Sequence, residues 1–149
     1  MRKYKLTEET VQISRNGTEV TLYRVQALRD FGDIKAGDLG GFVESEANLS
    51  HEGDCWVGGK ARIYGDAKVH GNARVYDNAE VSGFAEVHGC AKVSNNAEVY
   101  DNAEVYGNAW IYGNALVYDN AEVFGSAKVY GSAVVYGMDK VCGDTVLSV

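Results

Sequence analysis

The sequence predicts an all-β chain: a parallel β-helix of about five to six coils behind a small N-terminal β-hairpin cap. Three observations carry that expectation. A six-residue period runs through the last two thirds of the chain. Within it, one small and one branched aliphatic residue recur at fixed spacing. The 149 residues include 18 Gly and 0 Pro. Such a chain turns at Gly, Asn and Asp corners and keeps nearly every backbone N–H as a donor.

From Asn72 the chain reads NARVYD NAEVSG FAEVHG CAKVSN NAEVYD NAEVYG NAWIYG NALVYD NAEVFG SAKVYG SAVVYG. A branched residue falls at Val57, Ile63, Val69 and every sixth position to Val141, then at Leu147. Two residues earlier stands a small one, Cys55, Ala61, Ala67 and so on to Ala133, with the pattern decaying at Asp139 and Thr145. Ala-x-Val is one short strand with two inward side chains and one outward between them. The Gly or Asp that follows, with its Asn or Ser, turns a corner. A helix is excluded, because a period of six puts Val on no single helical face. Three sides close a triangle, so one coil takes 18 residues. Sixteen hexads between Val57 and Leu147 give just over five coils, a column roughly 25 Å tall at the spacing of paired strands.

The first 56 residues lack this period. Gln12-Ile13-Ser14-Arg15, Asn16-Gly17 and Val20 to Val25 predict a hairpin on a tight turn. Arg29 to Gly41 is a turn-rich link. Val43 and Ala47-x-Leu49 are early hexads, displaced by two extra residues near His51-Glu52-Gly53. A bare β-helix end exposes strand edges and an apolar triangle, so residues 1–41 are expected to cap a β-helix of residues 42–149.

Ala-x-Val-Tyr-Gly-Asn at strict period six resembles the hexapeptide-repeat proteins over about two thirds of the chain. That resemblance implies a left-handed parallel β-helix, an exception to the usual crossover hand. It also implies a homotrimer, the common state in that family. Asp30-Phe31, Gly40-Gly41, Leu49-Ser50 and Gly53-Asp54-Cys55-Trp56 resemble the start of uncharacterised YdcK-like hexapeptide proteins, and of short relatives in phage and prophage genomes. No established activity comes with the resemblance, and this fold hosts many activities.

A net charge of −7 argues against a nucleic-acid polymer as partner. No apolar run is long enough for a membrane span, and Met1-Arg2-Lys3-Tyr4-Lys5 leads into Thr and Glu rather than a signal peptide. Three cysteines without a CxxC pair fit the reducing cytoplasm. These readings make a cytoplasmic protein the expectation.

Outward residues fall on three faces. Face A carries Arg62/Tyr64, Glu80/Ser82, Glu98/Tyr100, Leu116/Tyr118 and Val134/Tyr136. Face B carries Lys68/His70, Glu86/His88, Glu104/Tyr106, Glu122/Phe124 and Lys140/Cys142. Face C carries Arg74/Tyr76, Lys92/Ser94, Trp110/Tyr112 and Lys128/Tyr130. Tyr100, Leu116, Tyr118, Val134 and Tyr136 form an apolar stripe, the expected oligomer interface; plain stacking between coils is the competing explanation.

Hexapeptide acyltransferases use a histidine as general base, which makes His88 or His70 the catalytic alternative. His88 has Glu86 beside it on its own strand and Tyr106 on the next coil. Against this, the hexads run without an inserted loop from Val57 to Val141, and face B is rich in charge. The γ-type carbonic anhydrases of the same fold hold zinc with three histidines. Here His51, His70 and His88 lie on successive coils without a close pair, so neither a metal nor a cofactor is expected. Corner acids such as Asp101 and Asp119 are better explained by turn geometry than by calcium.

In the cap, Arg24, Arg29, His51, Asp54 and Trp56 are candidates to line a pocket that holds a phosphate and stacks a base. Salt bridges and a Trp plug over the column end are the plainer account. The sequence therefore favours a non-catalytic binding, scaffolding or sequestering oligomer. Its sharper form is a phage protein that captures a small signalling nucleotide or a host partner; the alternative is an acyltransferase-like enzyme.

Overall fold

The computed structural model describes residues 2–148; the outer bounds of both expected units, Met1 and Val149, lie outside them. Each Ala-x-Val hexad forms one short strand, and strands 18 residues apart pair in parallel, as in Glu98↔Leu116 and Val99↔Val117. Three sheets result, closing a left-handed triangular prism of about six turns. Face A runs through Arg62–Ile63, Glu80–Val81, Glu98–Val99, Leu116–Val117 and Val134–Val135. Face B has five strands from Lys68–Val69 to Lys140–Val141. Face C has six, from Trp56–Val57 to Val146–Ser148. Below the last coil, the backbone N–H groups of outward residues donate to the coil above, for example Glu98 to Ala115 O at 3.0 Å and Tyr100 to Val117 O at 3.0 Å.

The inward Val and Ala side chains fill the prism. Every small residue from Cys55 to Ala133 and every branched one from Val57 to Val135 is at most 2% exposed. Among the described residues no buried side-chain polar atom lacks a hydrogen-bond partner. Cys90 is exposed at a corner and Cys142 is exposed on face B.

Corners need a left-handed backbone. Gly83 has φ +67°, and a Cβ there would come within 2.9 Å of the Asp101 backbone nitrogen. Asp77, Asn95, Asp101 and Asp119 adopt the same region with φ between 56° and 59°. Their side chains offset that cost by reaching the next coil. Asp101 Oδ2 accepts the Asp119 N–H at 3.2 Å, and Asp119 Oδ2 accepts the Gly137 N–H at 3.0 Å. Asp77 and Asn95 repeat the arrangement on another edge, with Asn95 Oδ1 accepting the Gly113 N–H at 3.0 Å. No cluster of three or more potential metal ligands occurs among the described residues.

The hairpin joins β1 (Tyr4–Arg15) to β2 (Thr18–Ala27) through Asn16 and Gly17, both at positive φ. It is longer than the sequence reading, because Tyr4 to Leu6 also pairs, beyond a bulge. β3 (Leu39–Val43) then pairs antiparallel with β2 and parallel with Arg62–Ile63. The cap therefore prolongs the face A sheet, and Gly40 and Gly41 lie in that strand rather than in the link. A Cβ on Gly40 would meet Val57 O at 2.4 Å, so the glycines allow β3 to press onto the first coil.

The two-residue displacement is present: Val43 pairs with Ile63 and Leu49 with Val69, whereas Val57 pairs with Val75. One early position differs from expectation. Ala47 is exposed in a single 3-10 turn, Glu46–Asn48, and Asn48 is buried instead. Its Oδ1 accepts the Ser45 N–H at 2.9 Å and its Nδ2 donates to Ala67 O at 2.8 Å. An amide, unlike a methyl, bridges the turn to the second coil. No helix among the described residues is long and apolar enough to cross a membrane.

Candidate functional site

Three regions concentrate chemistry: the ring ladder of face B, the plug beneath the cap, and a cleft on face C. On face B one aromatic or imidazole ring per coil stacks on the next. His70 and His88 lie 4.7 Å apart, His88 and Tyr106 5.1 Å, and Tyr106 and Phe124 4.9 Å, all within 7° of parallel. Each polar ring also reaches a carboxylate 16 residues on. His70 Nε2 lies 3.2 Å from Glu86 Oε1 and His88 Nε2 2.7 Å from Glu104 Oε2, while the Tyr106 hydroxyl donates to Glu122 at 3.1 Å. The carboxylate that orients His88 is thus Glu104 on the next coil, where the sequence reading placed Glu86. Glu86 serves His70 instead. A carboxylate-oriented imidazole can act as a general base. The same bond pattern around Tyr106 shows that it is also how this face packs.

The plug is built on residues the sequence reading passed over. Lys3 and Tyr4 are fully buried. Lys3 Nζ donates to Cys55 O at 2.7 Å and to Gly53 O and Cys55 Sγ at 3.3 Å, and lies 4.8 Å from the Phe31 ring centre. Burial lowers the Lys3 ammonium from its ordinary value, opposed in part by Cys55, and raises the Cys55 thiol. The Tyr4 hydroxyl donates to Leu49 O at 2.6 Å, and burial pushes it well above the usual phenol range, with Glu46 adding to the shift.

Four of the five expected cap residues lie around this plug. His51 stacks on Tyr4 at 4.2 Å, accepts the Lys3 backbone N–H on Nδ1 at 3.1 Å, and places Nε2 2.8 Å from Glu46. The hydrogen bond from His51 holds the Glu46 carboxyl below its ordinary value, with Arg2 contributing. Trp56 is 4% exposed and meets Phe31 edge-on at 5.3 Å and Tyr4 at 6.4 Å. Arg29 reaches His51 O at 3.5 Å. Asp54 is exposed, with its N–H on Asn72 Oδ1. Arg24 stands apart, lying over Phe42 and donating to Gly40 O at 2.9 Å and Glu9 at 3.0 Å. The two arginines share no partner, so the structure does not bring them together.

The cleft on face C has a volume of about 670 Å³, within the range of small-molecule sites. Ile34 from the link and Leu39 of β3 border it on one side and Trp56, Arg74, Tyr76 and Lys92 on the other. Arg74 Nη2 holds Asp33 at 2.8 Å and keeps that carboxyl below its ordinary value. Of the expected ligand residues only Trp56 borders this cleft. The signal for the rest lay in face C itself, whose charged outward residues are all basic and whose others are mostly aromatic.

On face A, Tyr100 and Tyr118 stack at 5.0 Å and Tyr118 and Tyr136 at 5.8 Å. Leu116 and Val134 pair directly beside them. Val134 is 42% and Tyr136 54% exposed.

No protein-family model matches the chain. Over 61 residues, 38% of the chain, it is 43% identical to an Escherichia coli protein named "Uncharacterized acetyltransferase YdcK". The match spans only 19% of that relative's length. The repeat and the coiled architecture together bear out the resemblance to YdcK-like hexapeptide-repeat proteins.

Proposed function

We propose that the protein is a non-catalytic binding and scaffolding module, a rigid column that assembles as a homotrimer through face A. The observation that carries this reading is the uncharged end of face A. Arg62, Glu80 and Glu98 give way to Leu116 and Val134, flanked by the Tyr100–Tyr118–Tyr136 stack. An exposed apolar patch on an otherwise charged column is a contact surface. Three straight columns packed around a threefold axis bury the same face of each. Light scattering of the unmutated protein tests this, with a trimer mass expected. Val134→Lys should split it, because a buried unpaired ammonium costs several kcal/mol. A monomer for the unmutated chain refutes the reading. Capture of a small signalling nucleotide or host partner by a phage protein is its finer form. That form is supported only by the sequence resemblance, and a mass spectrum of molecules co-purifying with the native protein tests it.

The printed name of the E. coli relative supports a second reading, acyl transfer with His88 as base and Glu104 orienting it. Acetyl-CoA with amine and sugar acceptors tests it. Turnover that disappears in His88→Ala would favour this reading over the first.

A further inference from the structure

Wherever consecutive coils supply rings at the same outward position, the rings stack one coil apart. Tyr112 and Tyr130 on face C do so at 4.8 Å. Tyr76, on the same face, has no such neighbour on either side. On the far side stands Ser94, and Trp110 folds over it, donating Nε1–H to Ser94 Oγ at 3.0 Å and leaving it 2% exposed. On the cap side stands Gly58. A Cβ at Gly58 would find only Tyr76 Cβ at 3.5 Å and Trp56 Cδ1 at 3.9 Å within 4 Å, both ordinary contacts, and its φ is not left-handed. Nothing about the backbone therefore requires glycine there. The ladder is missing one rung, and the gap belongs to the face C cleft.

The charge around the gap has one sign preference. Arg74, Lys92 and Lys128 are the charged outward residues of face C, in a chain of net charge −7. Lys92 is exposed, lies 5.7 Å from the Trp110 ring centre, and has no carboxylate partner among the described residues. The one acid paired in the cleft is Asp33, whose side chain is 79% exposed on the link, so an incoming anion competes with a solvated carboxylate.

We propose that this cleft binds a small planar aromatic anion. Its ring takes the empty rung against Tyr76, and its charge meets Lys92 and Arg74. A flat ring stacks on Tyr76 in the place a side chain at position 58 would fill, as Tyr130 stacks on Tyr112 at 4.8 Å. Stacking supplies orientation and the two cations supply selectivity for negative charge. The site is on face C and leaves the face A stripe untouched, so it stands or falls separately from trimer formation.

The test is calorimetry with 2-naphthoate as the probe. Uncharged 2-naphthol and non-planar cyclohexanecarboxylate are the controls. One naphthoate per protomer is expected, with both controls at least about tenfold weaker. Gly58→Tyr restores the residue the repeat places there. It should abolish naphthoate binding while the melting temperature and the light-scattering mass stay unchanged. Tyr76→Ser removes the platform and should weaken naphthoate at least about tenfold, which keeps the test decisive if Gly58→Tyr folds poorly. Lys92→Glu should weaken naphthoate but not naphthol. No naphthoate binding at millimolar concentration, equal affinity for all three probes, or full binding by Gly58→Tyr would each overturn the proposal. So would a Gly58→Tyr protein that loses its oligomer, since a partner's side chain then fills the rung in the unmutated protein.

Discussion

Val105 and Glu104 are adjacent in sequence and point to opposite sides of the same strand, so they separate core from surface within one peptide unit. Val105 is fully buried and sits in register between Val87 and Val123. Val105→Ala removes about two methylene equivalents, worth about 1.6 kcal/mol of transfer free energy. The stacked coils cannot collapse inward, because each is held by strand hydrogen bonds on both sides. A residual cavity of about 40 Å³ therefore adds about 1 kcal/mol, for a total near 2.5 kcal/mol. Glu104→Gln keeps the shape of the side chain and weakens one contact, to His88, on a half-exposed surface. Its cost should stay within about 0.5 kcal/mol. The assay is urea unfolding followed by far-ultraviolet circular dichroism at fixed protein concentration, with an unchanged m-value confirming a pure stability effect. Val105→Asp should not fold at all, since the prism offers a carboxylate no partner. Equal costs for Val105→Ala and Glu104→Gln would refute the phase of the repeat, and with it every face assignment.

Other consequences are open to measurement. Asp119→Ala keeps a left-handed φ of 59° without the bond to the Gly137 N–H, and should cost about 2 kcal/mol by thermal or urea unfolding. Asp119→Gly loses only the bond and should cost about 1 kcal/mol or less. The plug makes stability fall in alkali. Cys55 and Tyr4 are raised above their ordinary values of 9.0 and 10.0, so the folded state holds protons the unfolded chain gives up as pH rises through those values. Lys3, lowered from 10.5, acts in the opposite sense, its contribution rising with pH until the unfolded ammonium gives up its proton near 10.5. Tyr4→Phe should therefore flatten the decline of melting temperature above pH 10, and an unchanged slope would refute the assignment. Glu98 lies directly opposite Glu80, and burial, reinforced by that like charge, raises its carboxyl from 4.5. Glu98→Gln should be neutral or slightly stabilising at neutral pH, with the gain fading as pH falls through the raised value; a clear loss would contradict it.

What was legible in the chain was whatever repeats. The hexad fixed the strands, the faces, the 18-residue register and the two-residue displacement before Val57, because one inward pattern recurs in each. The cap did not repeat, and each of its side chains has a private environment. Lys3 looked like part of a charged terminus, since lysine is seldom buried unless its ammonium is fully bonded. Only the fold brings Gly53 and Cys55 to it. Arg24, Arg29 and His51 were attractive as binding groups by residue type, yet the structure uses them to tie the hairpin and plug together. The cleft escaped notice because its defining feature is a side chain that is missing, at Gly58, and not one that is present.

The corner acids add a constraint on how such a chain can lengthen. Inserting six residues preserves every inward valine, so the interior is indifferent to it. Every side chain beyond the insertion, however, advances one face around the triangle. For an insertion between Tyr106 and Leu116, Leu116 and Val134 would leave the Tyr100 side, Phe124 would part from Tyr106, and Asp101 would no longer stand below Asp119. An insertion of eighteen residues returns each group to its own edge. The interior therefore counts in sixes and the surface in eighteens, and only whole turns can be added without scrambling what the column presents to its surroundings.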